Sequence, residues 1–158
     1  MKKLIATSEN PTVVLIRLMV GAIFLSEGFQ KFIFPAALGA GRFSRIGFTH
    51  PEFYSGLSGS FEIFCGLLLL AGLLTRPAAF ILLLNITVAI VATKIPILLG
   101  HAYGPFNLRE LKSYGFWPMA HESRTDFAMW LGSLFLVLSG GGKWSVDRVL
   151  MRYFDTDS

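Results

Sequence analysis

Glu27, Lys31, Glu62, Lys94 and Asp126 stand inside or at the ends of long apolar stretches, where an ionised side chain is costly to keep from water. Carboxylates and ammonium groups gathered in such a place hold and pass protons and stabilise negative charge that develops on a bound molecule. Glu27 and Lys31 are four residues apart, so on a helix they share a face and can pair directly. Glu62 then needs a partner or a proton of its own. Two carboxylates in one low-dielectric site favour sharing a proton, which makes Glu62, with Glu27, a candidate proton acceptor. The competing reading is structural. Buried ion pairs also lock helix register, Lys31 and Lys94 can snorkel to the headgroups, and Asp126, near a helix start, complements the helix dipole.

The elements that must position these residues are apolar helices. Of 158 residues, 53% are hydrophobic and 15% charged, with a mean hydropathy of +0.59, which excludes an ordinary soluble domain. Four segments, about 12–34, 56–74, 77–99 and 122–141, approach the roughly 20 apolar residues a membrane span needs. The fourth is the least apolar. The expectation is one all-α domain over residues 1–158, a four-helix transmembrane bundle with two long loops on one side and a tight turn at Thr75-Arg76-Pro77. Asn10 before Pro11 is a helix-start signal, and the polar stretch from Thr7 to Asn10 argues for a retained first helix rather than a cleaved leader. Aromatic residues in the first loop, Phe43, Phe48, Phe53 and Tyr54, are expected at the membrane interface.

Depth follows from the rise per residue. If the first helix ends near Phe34, Glu27 lies about 10 Å and Lys31 about 5 Å below that boundary. Glu62 lies roughly 9 Å from a second helix start near Gly56, and Lys94 about 7 Å from the end of the third helix. The fourth helix begins on the same side with His121, Glu122, Arg124 and Asp126. All four helices therefore deliver ionisable groups to one half of the membrane, forming a polar pocket beneath the long loops. Glu62, Glu27 and Lys31 are the candidate catalytic residues. Lys94, Asp126, His121, Trp117 and Trp130 are candidates for the substrate-binding wall, the two tryptophans beside Phe116 at an apolar entrance. At the other end, Arg17, Arg76 and Asp147 are expected to form structural ion pairs, Arg17 or Arg76 with Asp147, that tie the C-terminal segment to the bundle.

Other residues bound the function by what they lack. His50, His101 and His121 show no spacing for a paired-histidine metal or haem site, so no metal or haem is expected. Cys65 stands alone, which leaves no CxxC pair and no intrachain disulfide. The net charge of +4 and pI near 9.5 point to anionic lipid rather than nucleic acid. Basic residues divide almost evenly, Lys2, Lys3, Arg76, Lys143, Arg148 and Arg152 against Arg42, Arg45, Arg109, Lys112 and Arg124. Because the first set hugs helix ends, both termini are expected inside.

Three stretches carry a resemblance: Arg17-Leu18-Met19-Val20-Gly21 through Gly28-Phe29-Gln30-Lys31; the run from Glu62 to Arg76; and Gly140-Gly141-Gly142-Lys143-Trp144-Ser145-Val146-Asp147. With these the chain resembles the DoxX family of small four-helix membrane proteins, which includes the DoxD-like subunit of thiosulfate:quinone oxidoreductase. The resemblance implies a bacterial or archaeal inner-membrane protein with cytoplasmic termini and a pocket towards the periplasm. It also implies a place in quinone-linked sulfur oxidation or in an oxidative-stress redox complex. The leading expectation is a quinone-linked oxidoreductase subunit in which Lys31 and Lys94 stabilise negative charge and Glu62, with Glu27, moves protons. Electrons would pass directly from substrate to quinone or come through a protein partner, either a soluble redox enzyme or a second subunit. A non-catalytic anchor for redox enzymes and a small proton-coupled transporter, the latter as a homo-oligomer, are the alternatives.

Overall fold

The structure, a computed structural model, describes residue 5 and residues 7–156; Lys2 and Lys3, counted above for orientation, lie outside the described residues. Among those described, seven helices follow one another: α1 (Val13–Ile33), α2 (Ala40–Ile46), α3 (Pro51–Ala71), α4 (Thr75–Leu99), α5 (Phe116–Glu122), α6 (Arg124–Ser139) and α7 (Val146–Thr156). Three of them, α1, α3 and α4, are long and apolar enough to cross a membrane.

The expected four-helix transmembrane bundle is therefore corrected. The fourth span, placed at 122–141, is cut at both ends. Ser123 turns its hydroxyl back onto the Met119 carbonyl at 2.6 Å, separating α5 from α6. Gly140, at φ 74° and ψ −162°, ends α6 after 16 residues. Sixteen residues rise about 24 Å, short of the roughly 30 Å hydrocarbon core. α6 nonetheless packs on α4 and on α1, while α1 packs on α3 and α3 on α4, so these helices enclose one core. Phe24, Leu69, Leu82 and Leu136 are its largest fully buried members.

Glycines set the tightest contact. A Cβ on Gly28 would sit 2.8 Å from the Gly59 carbonyl, and one on Gly66 would sit 3.0 Å from the Gly21 carbonyl. The antiparallel backbones of α1 and α3 thus touch at two places seven residues apart, as small residues permit in helices packed in lipid.

Helix boundaries shift in instructive ways. Asn10 turns the chain ahead of α1, its Oδ1 accepting from the Thr12 amide at 2.9 Å, but the N-cap position falls on Thr12 rather than on Asn10, and Pro11 precedes the helix. α3 starts at Pro51, five residues before the expected 56, with proline in the first turn where its missing donor costs least. The tight turn is Gly72-Leu73-Leu74 rather than Thr75-Arg76-Pro77, which folds into the first turn of α4. Both Gly72 and Leu74 are left-handed, at φ 71° and 49°. The two long connections meet at the opposite end of the molecule: the Asn107 amide donates to the Ile46 carbonyl at 2.7 Å, and the Phe48 and Phe106 rings lie 5.4 Å apart.

Candidate functional site

The close approach of α1 and α3 decides what Lys31 can reach. Side chains on a helix lean toward its N-terminus, so Lys31 drops along α1 while Glu62, on the antiparallel α3, rises to meet it. Lys31 Nζ lies 2.5 Å from Glu62 Oε2 and 4.0 Å from Glu27 Oε2. The Glu27–Lys31 pairing expected from spacing is present but is the longer of the two contacts, because the tertiary partner offers hydrogen-bond distance. Glu27 and Glu62 share one lysine.

Glu62 is buried and its second oxygen is also held. Asn85 Nδ2, from α4, donates to Glu62 Oε1 at 2.8 Å. Ser58, one turn before Glu62, donates to Asn85 Oδ1 at 3.0 Å. Three helices thus meet in one polar network. A second link, 3.0 Å from Lys94 Nζ to Asp126 Oδ2, joins α4 to α6. A third, Arg109 to Glu122 at 3.1 Å, joins the second loop to α5.

These groups border a cavity of about 730 Å³. Glu27, Lys31, Glu62 and Asp126 line it on the polar side, with Asn85, Ser58, Thr93 and Arg42. The loop end is covered by rings: Phe48 lies 5.1 Å from Phe43 and 5.3 Å from Tyr54. Three of the four rings expected at the membrane interface, Phe43, Phe48 and Tyr54, line the cavity, where α2 folds the first loop back over the helices, while Phe53 is exposed.

Several expected wall residues are not part of that wall. Trp117 is 80% exposed and packs edge-to-face on Phe116. His121 is exposed beside Arg124, 3.1 Å from its guanidinium. Trp130 donates through Nε1 to Thr87 Oγ1 at 3.0 Å, linking α6 to α4. Each is turned aside by its helix: α5 presents Glu122 to the cavity rather than Trp117 or His121, and the inward face of α6 is taken by Thr125, Asp126 and Met129. Lys94 reaches the cavity only through Asp126.

Asn85, Ser58, Thr93 and Arg42 were missed as candidates. Asn85 left a signal, since it is the lone amide in the apolar run from Phe80 to Ile97, and Ser58 stands four residues before Glu62 on the same helix face. Among the described residues no group of three or more His, Cys, Asp or Glu is placed to hold a metal ion.

At the opposite end, Arg17 forms the expected tie by another route. Its guanidinium donates to the carbonyls of Leu69, Leu70, Gly141 and Trp144 at 2.8, 2.8, 3.0 and 2.5 Å. Asp147 accepts from the amides of Leu74 and Thr75 at 2.7 and 2.9 Å, capping α4 from a distant part of the chain. Arg76 donates to the Val137 carbonyl at 3.0 Å. Main-chain groups, rather than a direct Arg17–Asp147 pair, fasten the C-terminal segment.

Arg17, its partners Leu69 and Leu70, and the glycines at the α1–α3 contact fall within one segment that is shared with other proteins, whereas Gly141 and Trp144 lie beyond it. A model of the DoxX family matches residues 12–95, a region that contains α1 through most of α4. The chain belongs to the DoxX family. An uncharacterised membrane protein of Mycobacterium tuberculosis is 48% identical over 150 residues, covering 95% of this chain and 88% of that protein. No solved structure matches this DoxX chain. The three spans together with this kinship make it a multi-pass membrane protein of the inner-membrane type. The Glu62 network draws on α1, α3 and α4 within the matched region, whereas Asp126 and the α6 wall lie beyond it.

Proposed function

We propose that this DoxX protein is the membrane component of a quinone-linked oxidoreductase system, with the quinone head group held at the Lys31–Glu62 pair. The observation that carries this reading is the unused donor capacity of Lys31. Its ammonium has three N–H groups, one engaged by Glu62 at 2.5 Å and none at hydrogen-bond distance from Glu27, and it borders open space. A cavity of about 730 Å³ falls in the range of small-molecule sites. A quinone head group, with two carbonyl oxygens and no charge, suits such a donor set.

When bound, a quinone supplies two-electron chemistry coupled to two protons. Lys31 donates a hydrogen bond to the ligand oxygen and stabilises negative charge there. Lys31 would give up a proton to the reduced ligand oxygen while Glu62, held by Asn85 from the far side, keeps it in place, and Glu27 would relay the replacement proton to Lys31 from the cavity's more open side. The reductant is a partner enzyme or a second substrate, and the loop end faces the periplasm, as the family resemblance implies. The test is lipid extraction of the gently purified protein followed by mass spectrometry, with a titration of decyl-benzoquinone into nanodiscs. Quinone in near-stoichiometric amount, with binding weakened more than tenfold by Glu62→Gln, supports the reading. Equal binding by the wild type and Glu62→Gln removes it.

A further inference from the structure

Two features of the cavity identify how it is reached and by what. The first is its wall between α3 and α4. Leu57 and Phe61 on α3, and Leu84 and Val88 on α4, line the cavity, yet they are 42%, 40%, 52% and 52% exposed, on helices long and apolar enough to cross a membrane. A residue that is both a wall of the cavity and part of the lipid-facing surface marks an opening. α3 and α4 are pinned together at one end by the turn at Gly72 and at mid-length by the contact of Ser58 and Glu62 with Asn85. The seam beside that contact carries only apolar side chains, while the loop end is roofed by Phe43, Phe48 and Tyr54.

The second feature is charge. The acidic groups at the wall are Glu27, Glu62, Glu122 and Asp126, and the basic groups at or directly paired to it are Lys31, Arg42, Lys94 and Arg109. Four of each sign give the wall no net charge to draw in an ion. A phosphate or a sulfur oxyanion would arrive without compensation, after losing its hydration at considerable cost.

We propose that the cavity is loaded sideways from the bilayer through the α3/α4 seam, and that its ligand is an uncharged, hydrogen-bonding head on an apolar chain. The head reaches Lys31 and Asn85 while the chain lies between Leu57, Phe61, Leu84 and Val88. The identity of the head rests on the quinone reading above; the sideways entrance does not. A single tryptophan reports on the entrance. In a Trp117→Phe, Trp130→Phe, Trp144→Phe background, Ala89→Trp, or Thr93→Trp should the first fail to fold, places the probe on the cavity wall.

In vesicles of phosphatidylcholine with dibrominated acyl chains, this probe is expected to lose most of its fluorescence, and aqueous acrylamide is expected to leave it bright. Leu57→Phe combined with Leu84→Phe, which narrows the seam, should restore the signal. Phe64→Trp, on the 63% exposed lipid-facing side of α3, should stay quenched in both backgrounds. Acrylamide quenching, or brominated-lipid quenching unaffected by narrowing the seam, overturns the sideways entrance. Dodecyl phosphate binding as tightly as a decyl-tailed benzoquinone overturns the uncharged head. If brominated chains enter but no quinone binds, the entrance stands and the redox reading falls.

Discussion

Two groups of buried charge occupy opposite ends of this molecule, and they differ in what they leave over. At the terminal end, Arg17 is 3% exposed and four of its N–H donors point at main-chain carbonyls. A Cβ on Gly72 would lie only 2.6 Å from its guanidinium carbon. Nothing can be added there. At the other end, Lys31 is only partly buried and keeps donors free beside a cavity, and its carboxylate partners come from two helices. Saturated coordination in a filled space holds segments together; unsaturated coordination beside an empty one can receive a ligand. The distinction separates two sets of residues that look alike as isolated charges in apolar helices.

Substitutions test that contrast. The largest effect is expected from Arg17→Met, which takes the guanidinium from four carbonyls, of which Leu69's keeps only the Gly72 amide, and frees the segment after α6; a loss of about 4 kcal/mol should prevent accumulation in the membrane. Thermal unfolding in detergent would show it. Wild-type stability in this variant would mean that the Arg17 group is not a structural tie.

Next comes Gly28→Ala, whose Cβ meets the Gly59 carbonyl and Ile63 Cγ1 at 2.8 Å. Forcing α1 from α3 should cost about 1–3 kcal/mol and pull Lys31 from Glu62. Stability and quinone binding should therefore fall together, the latter read by titration in nanodiscs.

Glu62→Gln sharpens the contrast most. Its amide oxygen still accepts from Asn85 and Lys31 keeps Glu27, so stability should drop by only about 1 kcal/mol while quinone binding falls more than tenfold. A large loss of stability with binding intact would reverse the roles assigned to the two ends. The smallest effect on stability, below about 0.5 kcal/mol, is expected for Glu27→Gln, since the Glu27 side chain is 40% exposed and 4.0 Å from Lys31. Its signature is a slower quinone reduction at unchanged melting temperature.

Much of the site was legible because membrane burial makes charge conspicuous. Glu27, Lys31 and Glu62 stand out in apolar runs, and the rise per residue put the two glutamates at one depth, with Lys31 a turn above them, without any knowledge of helix rotation. Asn85 was harder to see, since a neutral amide in an apolar helix carries a weaker penalty and invites no search for a partner. Trp117, Trp130 and His121 misled because proximity in sequence to a pocket-facing carboxylate says nothing about which way a helix face turns. The fourth span failed for a local reason: Ser123 and Gly140 end α6 too early, and an apolar composition does not reveal where a serine hydroxyl will compete for a carbonyl.

The sequence by itself determined that the chain is helical and membrane-embedded, that α3 and α4 form a hairpin, and that its costly charges fall into two groups at opposite ends. Composition and periodicity suffice for that, because water exclusion acts on every residue according to its type and depth. Only the tertiary structure decided that Lys31 bonds to Glu62 more closely than to Glu27, that Arg17 serves main-chain carbonyls, and that a cavity lies against one group and not the other. Those outcomes depend on helix rotation and on contacts as close as Gly28 with Gly59, which arise from packing between segments far apart in the chain.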